Sequence, residues 1–240
     1  MKKSDLYFIL LTILIIISFA PVSFLEHYHK DFLFNPSYWY ISGFLKFAVL
    51  ATLGESLGLR LTKGVYNEPG FGLMPRAFVW GLIGVSIKIA FVVFAVGTPA
   101  MLAKLFGVSD AVASMKANSY FDAVDAGLGG TRILTAFSIS TFMNLIFAPV
   151  FMTFHKITDT HIVKNGGSLK ALITPINFKE IFPNLNWEVQ WNFVFKKTIP
   201  FFWIPAHTIT FLMPSEYRIV FAAVLGIILG VILSFAINKK

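Results

Sequence analysis

Six polar side chains stand inside or beside apolar runs that would otherwise exclude them: Glu55, Lys88, Ser138, Thr141, Asn144 and His207. Such groups are costly in hydrocarbon and usually face a partner or a water-filled cavity. Glu55 and Lys88 carry opposite charge on consecutive apolar stretches, and an ion pair between them is expected. That pair either fixes helix packing or lines a pore. Thr135, Ser138 and Thr141, with Thr131 just upstream, fall within about 120° of one another on a helix, and Asn144 lies further round. A hydroxyl stripe of this kind lines a hydrated path or hydrogen-bonds to its own carbonyls and to neighbouring helices. His207 lies between Pro205 and Pro214, with Pro200 upstream. Proline removes a helix donor and frees a carbonyl, so a kink is expected there. The histidine either gates or senses pH, or hydrogen-bonds a neighbouring helix.

None of this is the machinery of an enzyme. The chain has no cysteine, which removes thiol chemistry and disulfides. It holds no His-Glu-x-x-His, Gly-x-Ser-x-Gly, phosphate loop or paired carboxylates, so no catalytic residue, cofactor or metal site is expected. His27 and His29, beside Glu26 and Asp31, would bind a metal only weakly and read better as a solvated loop.

The elements that must position these groups are membrane helices. Of 240 residues, 56% are hydrophobic and 13% charged, against about 25% charged in soluble domains. Mean hydropathy is +0.73. The expected fold is all-α: a helical bundle of about six transmembrane helices plus short interfacial helices. The spans are about 6–24, 41–61, 77–96, 133–154, 194–213 and 219–237, each near the roughly 20 residues that cross a bilayer. Residues 1–30 form an N-terminal anchor, read as uncleaved, and 31–240 the main helical domain. Gly107 followed by Ser109-Asp110 marks one helix stop and the next start, and residues 100–128 suit helices lying in the interface. Residues 155–190 form a polar loop with a short helix centred on 178–181. Gly226 and Gly230 form a G-x-x-x-G, which fits close packing within one chain and also permits a homo-oligomer.

Net charge is +8, but no recognition motif accompanies it, so nucleic acid is not an expected partner. The basic residues instead orient the chain. With the N-terminus inside, thirteen lie on the inner side: Lys2, Lys3, Arg60, Lys63, Arg76, Lys156, Lys164, Lys170, Lys179, Lys196, Lys197, Lys239 and Lys240. Five lie outside: Lys30, Lys104, Lys116, Arg132 and Arg218. The bias places both termini in the cytoplasm. Membrane lipids and small solutes or ions are the expected partners.

The C-terminal Met213-Pro214-Ser215-Glu216-Tyr217-Arg218, with Leu233-Ser234 beyond it, resembles a signature of the Mpv-seventeen/PMP-twenty-two family of peroxisomal and mitochondrial inner-membrane proteins. Gly130-Thr131, Phe147-Ala148-Pro149, Leu53-Gly54-Glu55, Asn35-Pro36 and Ser42-Gly43 keep further spacings of that pattern, and Asn144 stands where the family has glutamine. Trp203 and Pro205 are not adjacent, Met143 replaces an aspartate, and Leu229-Gly230 replaces Trp-Asn. The resemblance, over about 35–234, implies a distant bacterial member: all-helical, without cofactor, similar to small channels of modest selectivity. It adds Pro149, Pro214, Tyr217 and Arg218 to the candidate residues, the last two suited to an interface anchor. A proton-coupled transporter and a non-transporting scaffold that binds lipid or a partner remain alternatives to a channel.

Overall fold

A computed structural model describes residues 3–19, 31 and 35–237. His27, His29 and the far end of the first expected span lie outside the described residues. Every regular element among those described is helical. The helices are α1 (Lys3–Phe19), α2 (Trp39–Lys63), α3 (Leu73–Leu105), α4 (Ala111–Lys116), α5 (Tyr120–Asp125), α6 (Gly129–Lys164), α7 (Phe178–Ile181), α8 (Trp187–Val189), a π-helix (Gln190–Trp203), α9 (Ile204–Leu212) and α10 (Arg218–Ile237), with short 3-10 turns at Pro36–Tyr38 and Leu169–Leu172.

Three of the described helices, α2, α3 and α6, are long and apolar enough to cross a membrane, where six were expected. α1 and α10 are apolar but shorter over the described residues searched. The fifth expected span divides. Its first part is wound as a π-helix, in which the Ile204 N–H bonds to the Ile199 carbonyl five residues back. It then tightens to α-helix at Ile204, with Pro205 just after the change of winding. The prolines thus accompany a change of helix type.

The local stops and starts follow the chemistry of the sequence. Gly64, at φ 79°, closes α2 by returning its N–H to the Arg60 carbonyl. Ser119 and Asp122 form a reciprocal capping box on α5. Asn177 and Asn186 cap the starts of α7 and α8. The stop at Gly107 (φ 71°) and the start of α4 after Asp110 lie where the sequence places them.

The chain divides into two compact units. The first comprises Met1–Val85, Asn165–Leu172 and Ile219–Lys240. Here the helices approach closely through glycine. A Cβ on Gly54 would lie 3.0 Å from the Ile227 Cα, and one on Gly230 would lie 3.2 Å from the Gly54 carbonyl oxygen. Gly226 has open space around it, so only one member of the G-x-x-x-G is used within this unit. α1 is tied down at its start: Asp5 accepts from Arg60 Nε at 2.7 Å and from the Tyr66 hydroxyl at 3.0 Å, and Phe8 stacks on Tyr66 at 4.2 Å.

The second unit comprises Ser86–Lys164 and Ile173–Arg218. It is organised around α6, which packs against α4, α5, α7, the π-helix and α9. Ala148 of α6 meets Ile199 and Ile204, with Met152, Phe195 and Trp203 around them. Nearer the end of α6, Ile157 packs on Ile181 and Leu185 beside Ile176 and Trp187.

Candidate functional site

Glu55 belongs to the first unit. Its carboxylate accepts from Arg76 Nη1 at 2.6 Å and from Trp80 Nε1 at 2.9 Å. Arg76 and Trp80 are four residues apart at the start of α3 and so share one helix face. Arg76 is further fixed by donating from Nε to the Phe71 carbonyl at 2.7 Å, its guanidinium 4.7 Å from the centre of the Phe71 ring. Its side chain is only 9% exposed and that of Glu55 19%. The sequence reading gave Glu55 to Lys88. The cation at its carboxylate in this unit is Arg76, which was counted there among the inner-side charges, and Lys88 falls in the second unit.

In the second unit Asn144 and His207 meet. Both are buried, and the Asn144 amide lies 3.0 Å from His207 Nδ1. Which partner donates depends on the imidazole tautomer. The Asn144 amide nitrogen also donates to the Ser140 carbonyl at 2.9 Å. Ser140 Oγ, 3.3 Å from the same nitrogen, donates to the Ile204 carbonyl at 2.7 Å, where the π-helix gives way to α9. His207 stacks on Trp203 with centroids 5.1 Å apart and takes the Phe91 ring edge-on at 5.6 Å. The unit therefore holds a polar pair walled by aromatic rings at a change of helix type.

Ser138 and Thr141 are not part of that pair's hydrogen bonding. Ser138 donates to the Leu134 carbonyl of its own helix at 2.8 Å. The Thr141 hydroxyl is buried without a hydrogen-bond partner, as are those of Thr135 and Thr52 and the indole N–H of Trp203. The hydroxyl stripe thus has mixed fates. Ser140, outside that stripe, bridges helices alongside Asn144. Its signal in the sequence was its place one turn before Asn144.

Among the residues drawn from the family pattern, Pro149 sits within α6, where its carbonyl accepts from the Thr153 hydroxyl at 2.7 Å. Pro214 opens a turn closed by the Tyr217 N–H on the Pro214 carbonyl at 3.2 Å. Arg218 folds back onto α9, donating from Nε to the Met213 carbonyl at 3.0 Å and from Nη2 to the Phe211 carbonyl at 3.2 Å. Those bonds make it a cap for a helix C-terminus, where cations are favoured. Arg132, counted as an outer-loop charge, is fully buried and donates to the carbonyls of Ser114, Ala117 and Leu212.

Compared with family models, with curated proteins and with solved structures, the chain matches none.

Proposed function

We propose that the protein is an integral membrane protein that lets small solutes or ions pass through a polar path between its helices, and that it is not an enzyme. The observation that carries the reading is the buried Asn144–His207 pair, bonded to the Ser140 that bridges α6 and α9. Polar groups at such depth in an apolar bundle are costly unless they serve packing or a hydrated route. The buried hydroxyl of Thr141, one turn from Asn144, gives such a route an unfilled hydrogen bond. The π-helix joining α9 supports the reading, because π-turns within helices gather at functional sites. The resemblance to the Mpv-seventeen/PMP-twenty-two family and the three membrane-length helices point the same way. The membrane is taken to be a bacterial inner membrane, with both termini cytoplasmic.

The test is flux of ions and uncharged solutes into liposomes carrying the purified protein, with Asn144→Leu and Glu55→Gln alongside. Leak that falls with solute size and changes in Asn144→Leu supports the path. Flux only under a proton gradient transfers the reading to a coupled transporter. Absence of flux under every gradient rejects passage and leaves a scaffold.

A further inference from the structure

The end of α9 carries more positive charge than its surroundings use. Its last carbonyls are taken by two arginines: Phe211 and Met213 by Arg218, and Leu212 by Arg132. Arg132 also holds the carbonyls of Ser114 and Ala117 at the end of α4. A third cation stands close by. Phe91 of α3 packs on Phe211 with centroids 5.0 Å apart, and the Arg218 guanidinium lies 5.5 Å from the centre of that same Phe211 ring. Lys88 is three residues before Phe91, hence on the same side of α3 and one turn along it. Lys88 lies within the field of Arg218, and Arg218 within that of Arg132.

A helix C-terminus presents roughly half a negative charge, so the ends of α4 and α9 offset about one of the three positive charges. Asp122 and Glu216 act on the arginines only at range. Asp122 is exposed and bonded within its capping box to Ser119, and Glu216 is exposed beside Ser215. Neither forms an ion pair with Lys88, Arg132 or Arg218. Lys88 Nζ and Arg218 Nη1 make no hydrogen bond within the described protein, yet neither is sealed from contact. Arg132 Nε, by contrast, is buried and unpartnered behind them.

We propose that Lys88 and Arg218, backed by Arg132, form a binding site for a phosphate-type oxyanion. A guanidinium offers directed N–H groups to such an anion, and an ammonium adds a compact charge with three donors. The anion supplies the negative charge that the described residues leave out. A free phosphate and the headgroup of an anionic lipid present the same chemistry. The site goes beyond solute passage and does not depend on it, since binding is read without any flux.

The experiment uses the purified full chain in a phosphate-free, uncharged detergent. Thermal unfolding is followed with inorganic phosphate against chloride at matched ionic strength. Vesicles of phosphatidylglycerol are compared with vesicles of phosphatidylcholine, and retained lipid is read by native mass spectrometry. Lys88→Met is the informative variant, because among the described residues Lys88 bonds to no group and its loss leaves none unpaired. The expected result is a saturable rise in Tm for the wild type, with affinity weakened about tenfold in Lys88→Met. A rise with phosphate identifies a free anion. A rise confined to phosphatidylglycerol, lost in Lys88→Met, identifies a headgroup. Absence of any specific rise, or an equal rise in wild type and variant, overturns the site. Binding without flux leaves the site standing and ends the channel reading.

Discussion

Glu55 and Arg76 form an ion pair, 2.6 Å between Oε2 and Nη1, that joins the middle of α2 to the first turn of α3, with the Trp80 indole on the second carboxylate oxygen. Both side chains are largely withdrawn from solvent. Breaking such a pair from one side costs about 3–5 kcal/mol, whereas replacing both members by apolar residues is often close to neutral. Arg76→Met alone is therefore expected to lower the unfolding free energy by that amount. Glu55→Leu with Arg76→Met should recover most of it. A double-mutant cycle of unfolding in detergent measures this, and additive losses would show that the two groups act separately.

Asn144 and His207 satisfy each other inside the second unit. Replacing Asn144 by leucine leaves the imidazole without that partner, at a cost of about 1–3 kcal/mol. Ser140→Ala should cost less, about 1 kcal/mol, because the Ile204 carbonyl it releases also accepts from the Thr208 hydroxyl. Nitrogen NMR of labelled His207 gives an independent check: its tautomer ratio should shift in Asn144→Leu and stay near wild type in Ser140→Ala.

The glycines of the first unit separate packing from coincidence. Gly54→Leu drives a side chain into the backbone at Ile227. It should destabilise by at least the roughly 1–3 kcal/mol typical of overpacking. Gly226→Ala meets nothing within 4 Å and removes backbone freedom, so a gain of up to about 1 kcal/mol is expected. Equal losses at the two positions, read from denaturation midpoints, would mean that Gly226 also packs, as in a homo-oligomer.

At the far end of α6, Lys164 donates to Glu180 of α7, and Asn177 supports the same carboxylate at 3.0 Å. The hydrogen bond from Lys164, then its charge, hold the Glu180 pKa below the usual glutamate value. A depressed carboxylate pKa adds stability that is fully present above the unfolded-state pKa and fades as pH falls through the folded one. The pair is exposed, so the effect is small and screened by salt. Carboxyl NMR titration should find a Glu180 midpoint below that of an unpaired glutamate, and Lys164→Met should move it up.

The sequence was most legible where a residue acts on its own neighbours. The apolar runs at 41–61, 77–96 and 133–154 lie inside α2, α3 and α6. α3 and α6 extend well past those runs, to 33 and 36 residues, because a helix can continue after its hydropathy falls. The Phe178–Ile181 helix and the Pro214–Tyr217 turn also stand where caps and turn residues placed them. What could not be read was partnership across the fold. The carboxylate of Glu55 fits a bond to Arg76 or to Lys88 equally well by composition, and only the packing of α2 on α3 decides. The charge count likewise assigned Arg76, Arg132 and Arg218 only to a side, whereas each is held by a carboxylate or by carbonyls. Hydropathy is also blind to winding, so 190–203 gave no sign of its π register.

The first unit takes its helices from both ends of the chain. A polypeptide emerges from the ribosome N-terminus first. The groove at Gly54 is therefore built long before Ile227 and Gly230 exist to fill it. During that interval the Gly54 face of α2 is uncovered. The second unit needs nothing synthesised after Arg218. Assembly thus has a built-in order, with the half that begins first finishing last, and a chain that stops just after Arg218 contains every residue of the second unit and an unfinished first one.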